Sequence, residues 1–258
     1  MPRLGAVSYL TVRPLVYGLE SNPLFTVRYD VPSLCATLLG DGAIDLGMIP
    51  SIEALRGAYR LVPDLGIISD GPVASVALFL KVPLERVRRL GLDTSSRTSA
   101  GLTRILCRER WHIDPEFVQV PPEAAAHLDD CDAALLIGDP ALFLDHGAAG
   151  FEKIDLGAEW TSMTGLPFVW AAWAGRPGVV GAQEVAALQA ARDAGVEHSD
   201  ALADDYCGPE RADLGRRYLR ENMKYRLGVR EIQGLQRYFD LAARHGVVER
   251  SAPIEFFG

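Results

Sequence analysis

RLGLDTSSRTSAGLTRILCRER, residues 89–110, decides the fold. Arg89–Leu92 suits a short strand, and from Thr98 to Arg110 the apolar positions recur at helical spacing, so a strand runs into a helix. Between them, Asp93–Ser99 places six hydroxyl or carboxylate side chains and one Arg in seven positions. A helix cap needs one such side chain. Hydroxyls beside the free N–H groups of a helix N-terminus form an anion site, because the first turn leaves donors unpaired and the macrodipole favours negative charge. Arg97 either adds a bidentate carboxylate contact or makes an exposed salt bridge.

The same alternation extends both ways. Upstream, Leu4–Tyr9, Phe25–Tyr29 and Ile44–Ile49 read as strands, each followed by an amphipathic stretch (Arg13–Leu19, Pro32–Leu39, Ser51–Leu55), which predicts βαβ units and a mostly parallel sheet. Two longer β-type runs follow, Leu61–Ile68 and Val73–Val82, and Pro83 with the basic segment Arg86–Arg89 reads as an exit. Downstream come strands at Glu116–Val120 and Ala133–Ile137, helices at Pro122–Leu128 and from Pro140, a run Phe151–Leu156, and a short helix around Trp160. The apolar run Phe168–Ala174 then carries the chain back. Four helices end it: Gln183–Ala194, Ser199–Tyr206, Pro209–Glu221 and Val229–His245. The expectation is a two-lobed α/β protein with residues 1–86 and 176–258 in one lobe and 87–175 in the other. Its two crossover segments would act as a hinge, and its ligand would lie in the cleft lined by the loops after strands.

Composition narrows the ligand. The chain has 258 residues, 48% of them apolar, and a formal net charge of −8, which opposes attraction to nucleic acid or to an anionic membrane. An anionic ligand therefore needs a local cluster of donors. Cys35, Cys107, Cys131 and Cys207 are far apart with no C-x-x-C pair, and the five histidines form no metal-binding spacing, so neither a metal nor a cofactor is expected. The start of the chain carries no export signal and no run is long enough to span a membrane, which predicts a cytoplasmic protein. Oligomeric state has no signature here.

Three further strand-end loops stand out. Ser8–Pro14 places Ser8 and Thr11 at a strand end, Ser69–Ser75 joins Gly71 to Ser75 in a turn, and Gly138–Ala141 puts Asp139 at a helix start. Each has a plain alternative, a cap for Thr11 and Asp139 and a β-turn for Gly71. No nucleophile elbow, Walker loop or dinucleotide fingerprint is present. The residues alone point to a small polar or anionic ligand in a two-lobe cleft.

Six segments in this order resemble the menaquinone-pathway chorismate dehydratases: VSYL with RPL (7–10, 13–15), DLGMIPS (45–51), GPVASV (71–76), DTSSRTS (93–99), AALLIGDPA (133–141), and Trp160 with TGLPFVW (164–170). The resemblance implies a type II periplasmic-binding-protein fold and the conversion of chorismate, a small dicarboxylate, to 3-[(1-carboxyvinyl)oxy]benzoate and water. It implies binding by Ser8, Gly71, Ser75, Thr94, Ser95, Ser96, Arg97 and Thr98, with Thr11, Ser75 and Asp139 as catalytic candidates. One position departs: where the family's first motif carries Asn after the Leu, this chain has Thr11, which keeps a hydroxyl but loses an amide that donates and accepts through separate atoms. The competing readings are a non-catalytic small-anion receptor on the same fold and the sister enzyme that cleaves a cyclised futalosine derivative.

Overall fold

The computed structural model describes residues 1–121 and 130–258. The helix expected at Pro122–Leu128 lies outside the described residues. Two sheets build two lobes. The first contains β1 (Arg3–Val7), β2 (Thr26–Asp30), β3 (Leu46–Pro50), β4 (Arg60–Leu61), β5 (Ile67–Ser69) and β11 (Phe168–Gly175), in the order β2-β1-β3-β11-β4 with β5 also beside β11. The second runs β10 (Glu152–Asp155), β6 (Val76–Leu80), β9 (Ala133–Ile137), β7 (Arg89–Asp93), β8 (Glu116–Val120).

Both sheets are mixed rather than mostly parallel. β1 pairs in parallel with β2 and β3, as the βαβ pattern requires, but β11 lies antiparallel to β3, β4 and β5. β7 is parallel to β8 and β9, whereas β6 is antiparallel to β9 and β10. These strands also shift the lobe boundaries. β6 was expected in the first lobe and belongs to the second sheet; β11 was expected to end the second lobe and belongs to the first. By sheet membership the chain crosses at 70–75 and 165–167, not near 86 and 175. The reason is that an apolar run buried on both faces states that it is a central strand and leaves its partner open. Likewise Leu61–Ile68 is not one strand, because Pro63 and Asp64 break it, Asp64 at φ 60°.

The helices are α1 (Pro32–Gly40), α2 (Arg97–Glu109), α3 (Gly138–Phe143), α4 (Leu156–Thr164), α5 (Ala182–Glu197), α6 (Ser199–Cys207), α7 (Ala212–Arg217) and α8 (Val229–Arg244). α7 runs into a π-helical turn at Tyr218–Asn222, so the single helix expected at Pro209–Glu221 is shorter and distorted. The segment Leu10–Val16 after β1 is 3₁₀ rather than α, since Pro14 removes a donor inside it. α8 buries Leu235, Tyr238, Phe239 and Ala242 on one face, the i, i+3, i+4, i+7 stripe of a helix packed on a core. Its Tyr238 hydroxyl donates to the Thr98 carbonyl at 2.9 Å, tying the C-terminal helices to α2 of the second lobe. Among the described residues no helix is long and apolar enough to cross a membrane.

Candidate functional site

The ends of β1, β3, β9 and β11, the crossover before β6 and the first turn of α2 converge on one cavity. Its walls are mainly apolar, among them Val7, Met48, Ile67, Val76 and Trp170, and its polar lining side chains are Tyr9, Thr11, Ser75, Ser96 and Ser99. Among the described residues no Lys or Arg lines it. Removing a charged side chain from water costs several kcal/mol, so a dry cavity that handles an anion without a cation must rely on hydroxyls and backbone N–H groups.

Ser75 is the most elaborately held of these. The residue before it, Ala74, has φ 62°, a left-handed conformation that costs an L-residue about 1–2 kcal/mol. The Asp155 carboxylate fixes that turn by accepting from Val73 N at 3.0 Å and Ala74 N at 2.7 Å, and Lys153 Nζ donates to the Ala74 carbonyl at 2.7 Å. Asp155 also caps α4, accepting from Ala158 N. Backbone strain restrained this heavily is characteristic of a site that aims a side chain. The Ser75 Oγ lies 2.7 Å from the Tyr218 hydroxyl, which sits on the π-helical turn. Burial raises Tyr218 to about 12, against an opposing hydrogen bond with Ser75, so the phenol keeps its proton at neutral pH. When Tyr218 donates, the Ser75 proton is free to point into the cavity.

Thr11 lines the same cavity. Its Oγ1 is buried and makes no hydrogen bond of ordinary geometry among the described residues, although it lies close enough to the Tyr218 and Tyr225 hydroxyls to oppose the rise in their pKa. Beside it, Gly138 has φ +64°, and a Cβ there would fall 2.6 Å from the Tyr9 ring. Only glycine allows the Tyr9 ring to lie against the start of α3. Burial, with the Asp93 charge, raises Tyr9 to about 12, so it too remains a donor.

The Asp93–Ser99 loop divides its residues among different tasks. Ser96 caps α2 by accepting from Ser99 N at 3.3 Å, and its Oγ donates to Ser99 Oγ at 2.7 Å; both face the cavity. Ser95 turns inward and gives its N–H and O–H to Asp93 at 2.7 and 2.6 Å. Thr98 Oγ1 lies 3.4 Å from Ser51 Oγ and accepts from Ile52 N at 3.3 Å, which clasps the two lobes. Thr94 and Arg97 line a separate outer groove, where Arg97 pairs with Glu53 at 2.8 Å. Gly71, at φ +104°, donates its N–H to Thr161 Oγ1 at 3.0 Å. Ser8 contributes its carbonyl, which accepts from Tyr206 at 3.0 Å.

Asp139 bridges the lobes. One carboxylate oxygen accepts from Leu10 N at 3.2 Å, and the other contacts the Tyr206 hydroxyl. Burial raises its acid pKa, and these two bonds oppose the rise. Sequence reasoning passed over Tyr9, Ser99, Asp155, Lys153, Tyr206 and Tyr218 as site residues. Tyr9 and Ser99 stood inside the quoted motifs; the last two come from helices that carry no motif.

A sequence-family profile described as menaquinone biosynthesis matches residues 2–244. The chain is 32% identical over 190 residues to the chorismate dehydratase of Thermus thermophilus, covering 67% of this chain and 69% of that one. It is 30% identical over 174 residues to the chorismate dehydratase of Campylobacter jejuni, covering 65% and 64%. Among solved structures it is similar to the periplasmic aliphatic sulphonate binding protein SsuA of Escherichia coli, with a TM-score of 0.64 at 18% identity, covering all of this chain and 94% of that one. The two-lobed fold is therefore that of periplasmic binding proteins.

Proposed function

The chain belongs to the menaquinone-biosynthesis family, and from that premise we propose that it removes water from chorismate to give 3-[(1-carboxyvinyl)oxy]benzoate, the opening step of the futalosine route. The observation that carries the proposal is the placing, in one mainly apolar cavity, of the turn-held Ser75 hydroxyl together with the buried hydroxyl of Thr11. The ring hydrogen beside the enol ether is a vinylogous α-hydrogen of the ring carboxylate. Its removal places negative charge on that carboxylate, and expulsion of the neighbouring hydroxyl then makes the ring aromatic. Substrate and product differ by one water, so the step has no redox change and defines a hydro-lyase.

Such an elimination needs donors whose grip strengthens as charge develops, and fixed dipoles in a water-poor cavity supply that. In this proposal Ser75, backed by Tyr218, and the Ser96–Ser99 turn of α2 hold the carboxylates and the incipient enolate, while Thr11 faces the leaving hydroxyl. Thr11 lacks the carbonyl of the family's Asn, so it gives one proton and accepts one, through the same oxygen. Asp139 is already engaged by Leu10 and Tyr206. The base is then the enolpyruvyl carboxylate of the substrate itself.

Mixing the purified protein with chorismate and separating the products by liquid chromatography with mass detection tests the proposal. A product lighter by one water, formed in proportion to protein, is expected; binding without turnover would make the protein a receptor. Asp139→Asn tests the base. Turnover retained supports the substrate carboxylate, and turnover lost with binding and folding intact would move the base to Asp139.

A further inference from the structure

The outer face of α2 carries Arg97, Arg104 and Arg108, seven and four residues apart, which brings the three guanidinium groups to one side. They line a groove together with Arg56 of the first lobe, Phe117 of β8 and Gly246 at the end of α8. The groove shares only Ser96 with the lining of the central cavity. Four arginines in one groove is an unusual concentration for a chain of net charge −8.

The counter-charges do not match them. Arg56 and Arg97 share Glu53, at 3.2 and 2.8 Å. Glu109 is taken by His245 at 2.6 Å and Arg244 at 3.8 Å. Asp93 also lines the groove, but its carboxylate accepts from the Ser95 N–H and O–H. Arg104 and Arg108 have no carboxylate partner among the described residues. The Arg104 guanidinium carbon lies over the Phe117 ring, 4.2 Å from its centroid. Burial, with repulsion from Arg108, lowers the pKa of Arg104, so its charge is held at a cost that a bound anion would relieve. Thr94 and Gln119 add neutral hydrogen-bonding groups to the same wall.

We propose that this groove binds a small, multiply charged anion bearing phosphate groups or clustered carboxylates, gripped by Arg104 and Arg108 from the second lobe and Arg56 from the first. The guanidinium fork matches such oxyanions bidentately, which an ammonium cannot do. A groove built from both lobes binds its anion across the lobe junction. The site stands independently of the dehydration chemistry, since none of its unpaired arginines touches the central cavity.

Titration of inorganic pyrophosphate into the whole protein, by calorimetry at constant ionic strength in a phosphate-free buffer, tests it. Saturable binding to one site is expected, weakened about tenfold or more in Arg104→Gln and in Arg108→Gln and by less in Arg104→Lys, which keeps the charge and loses the fork. Both Gln variants alter partly exposed or exposed side chains, and unchanged thermal unfolding confirms that they fold. Citrate run in parallel assigns the chemistry: tighter citrate binding marks a polycarboxylate site, tighter pyrophosphate a phosphate site. Absence of saturable heat from both anions, or equal binding by wild type and both Gln variants, overturns the proposal.

Discussion

At its first turn α2 presents Ser96 and Ser99 to a mainly apolar cavity that no Lys or Arg lines among the described residues, while its outer face presents Arg97, Arg104 and Arg108 to a more polar groove. One helix thus meets negative charge in two ways. A guanidinium can stay charged where water still reaches it, and there it suits a ligand that is permanently and multiply anionic. In the cavity a cation would need several kcal/mol of desolvation, and it would hold substrate and transition state alike. Hydroxyls and helix N–H groups cost less to bury, and they gain strength where charge appears during reaction. On the two proposals made above, the difference separates a place for binding charge from a place for moving it.

Removing a cavity hydroxyl should break that division most severely. Ser75→Ala should lower kcat for chorismate by about 10²–10³, the usual loss for a single donor to a developing oxyanion, and cost about 1–3 kcal/mol of stability because the buried Tyr218 hydroxyl loses its partner; steady-state kinetics beside a melting curve checks both. Thr11→Val should cost about tenfold or more in kcat while changing stability by no more than about 1 kcal/mol, because the deleted hydroxyl makes no hydrogen bond of ordinary geometry. A structural Thr11 would show the reverse in denaturant titration.

Gly138→Ala probes shape rather than charge. The left-handed backbone and the overlap with Tyr9 should together cost about 1–2 kcal/mol or more, and displacement of Tyr9 should raise KM. Asp139 gives the pH arm. Burial raises its native pKa above the unfolded value of 3.8, so the native state binds the extra proton and stability falls as pH climbs from that unfolded value through the native one. Asp139→Asn should lack that slope, and its stability relative to wild type should grow across the same window, as urea titrations at several pH values would show. The smallest effect is expected from the outer face: Arg104→Gln should leave kcat on chorismate within about twofold, as surface changes usually do.

How far this was legible in the sequence depends on what each signal encodes. β9 and β8 fall at the residues where periodicity put them, Ala133–Ile137 and Glu116–Val120, because a short apolar run between turn residues has one sensible conformation. Sheet membership was not legible for β6 and β11, since antiparallel partners from distant segments decide it. The Asp93–Ser99 loop stands out in the sequence as rich in donors, but spacing could not say that Ser96 and Ser99 face the cavity while Thr94 and Arg97 face the groove. That choice depends on helix phase relative to the sheet, one residue in either direction. Tyr218 and Tyr206 were out of reach, because they meet Ser75 and Asp139 only through long-range packing of C-terminal helices. The strain at Ala74 was equally hidden, for alanine carries no sequence mark of a left-handed backbone.

A crystal structure of the protein with 3-[(1-carboxyvinyl)oxy]benzoate bound tests the account most directly. Product density in the cavity, within hydrogen-bond reach of Ser75 and the Ser96–Ser99 turn, is the result predicted. Product held between Arg104 and Arg108 in the outer groove, with the cavity empty, would contradict it.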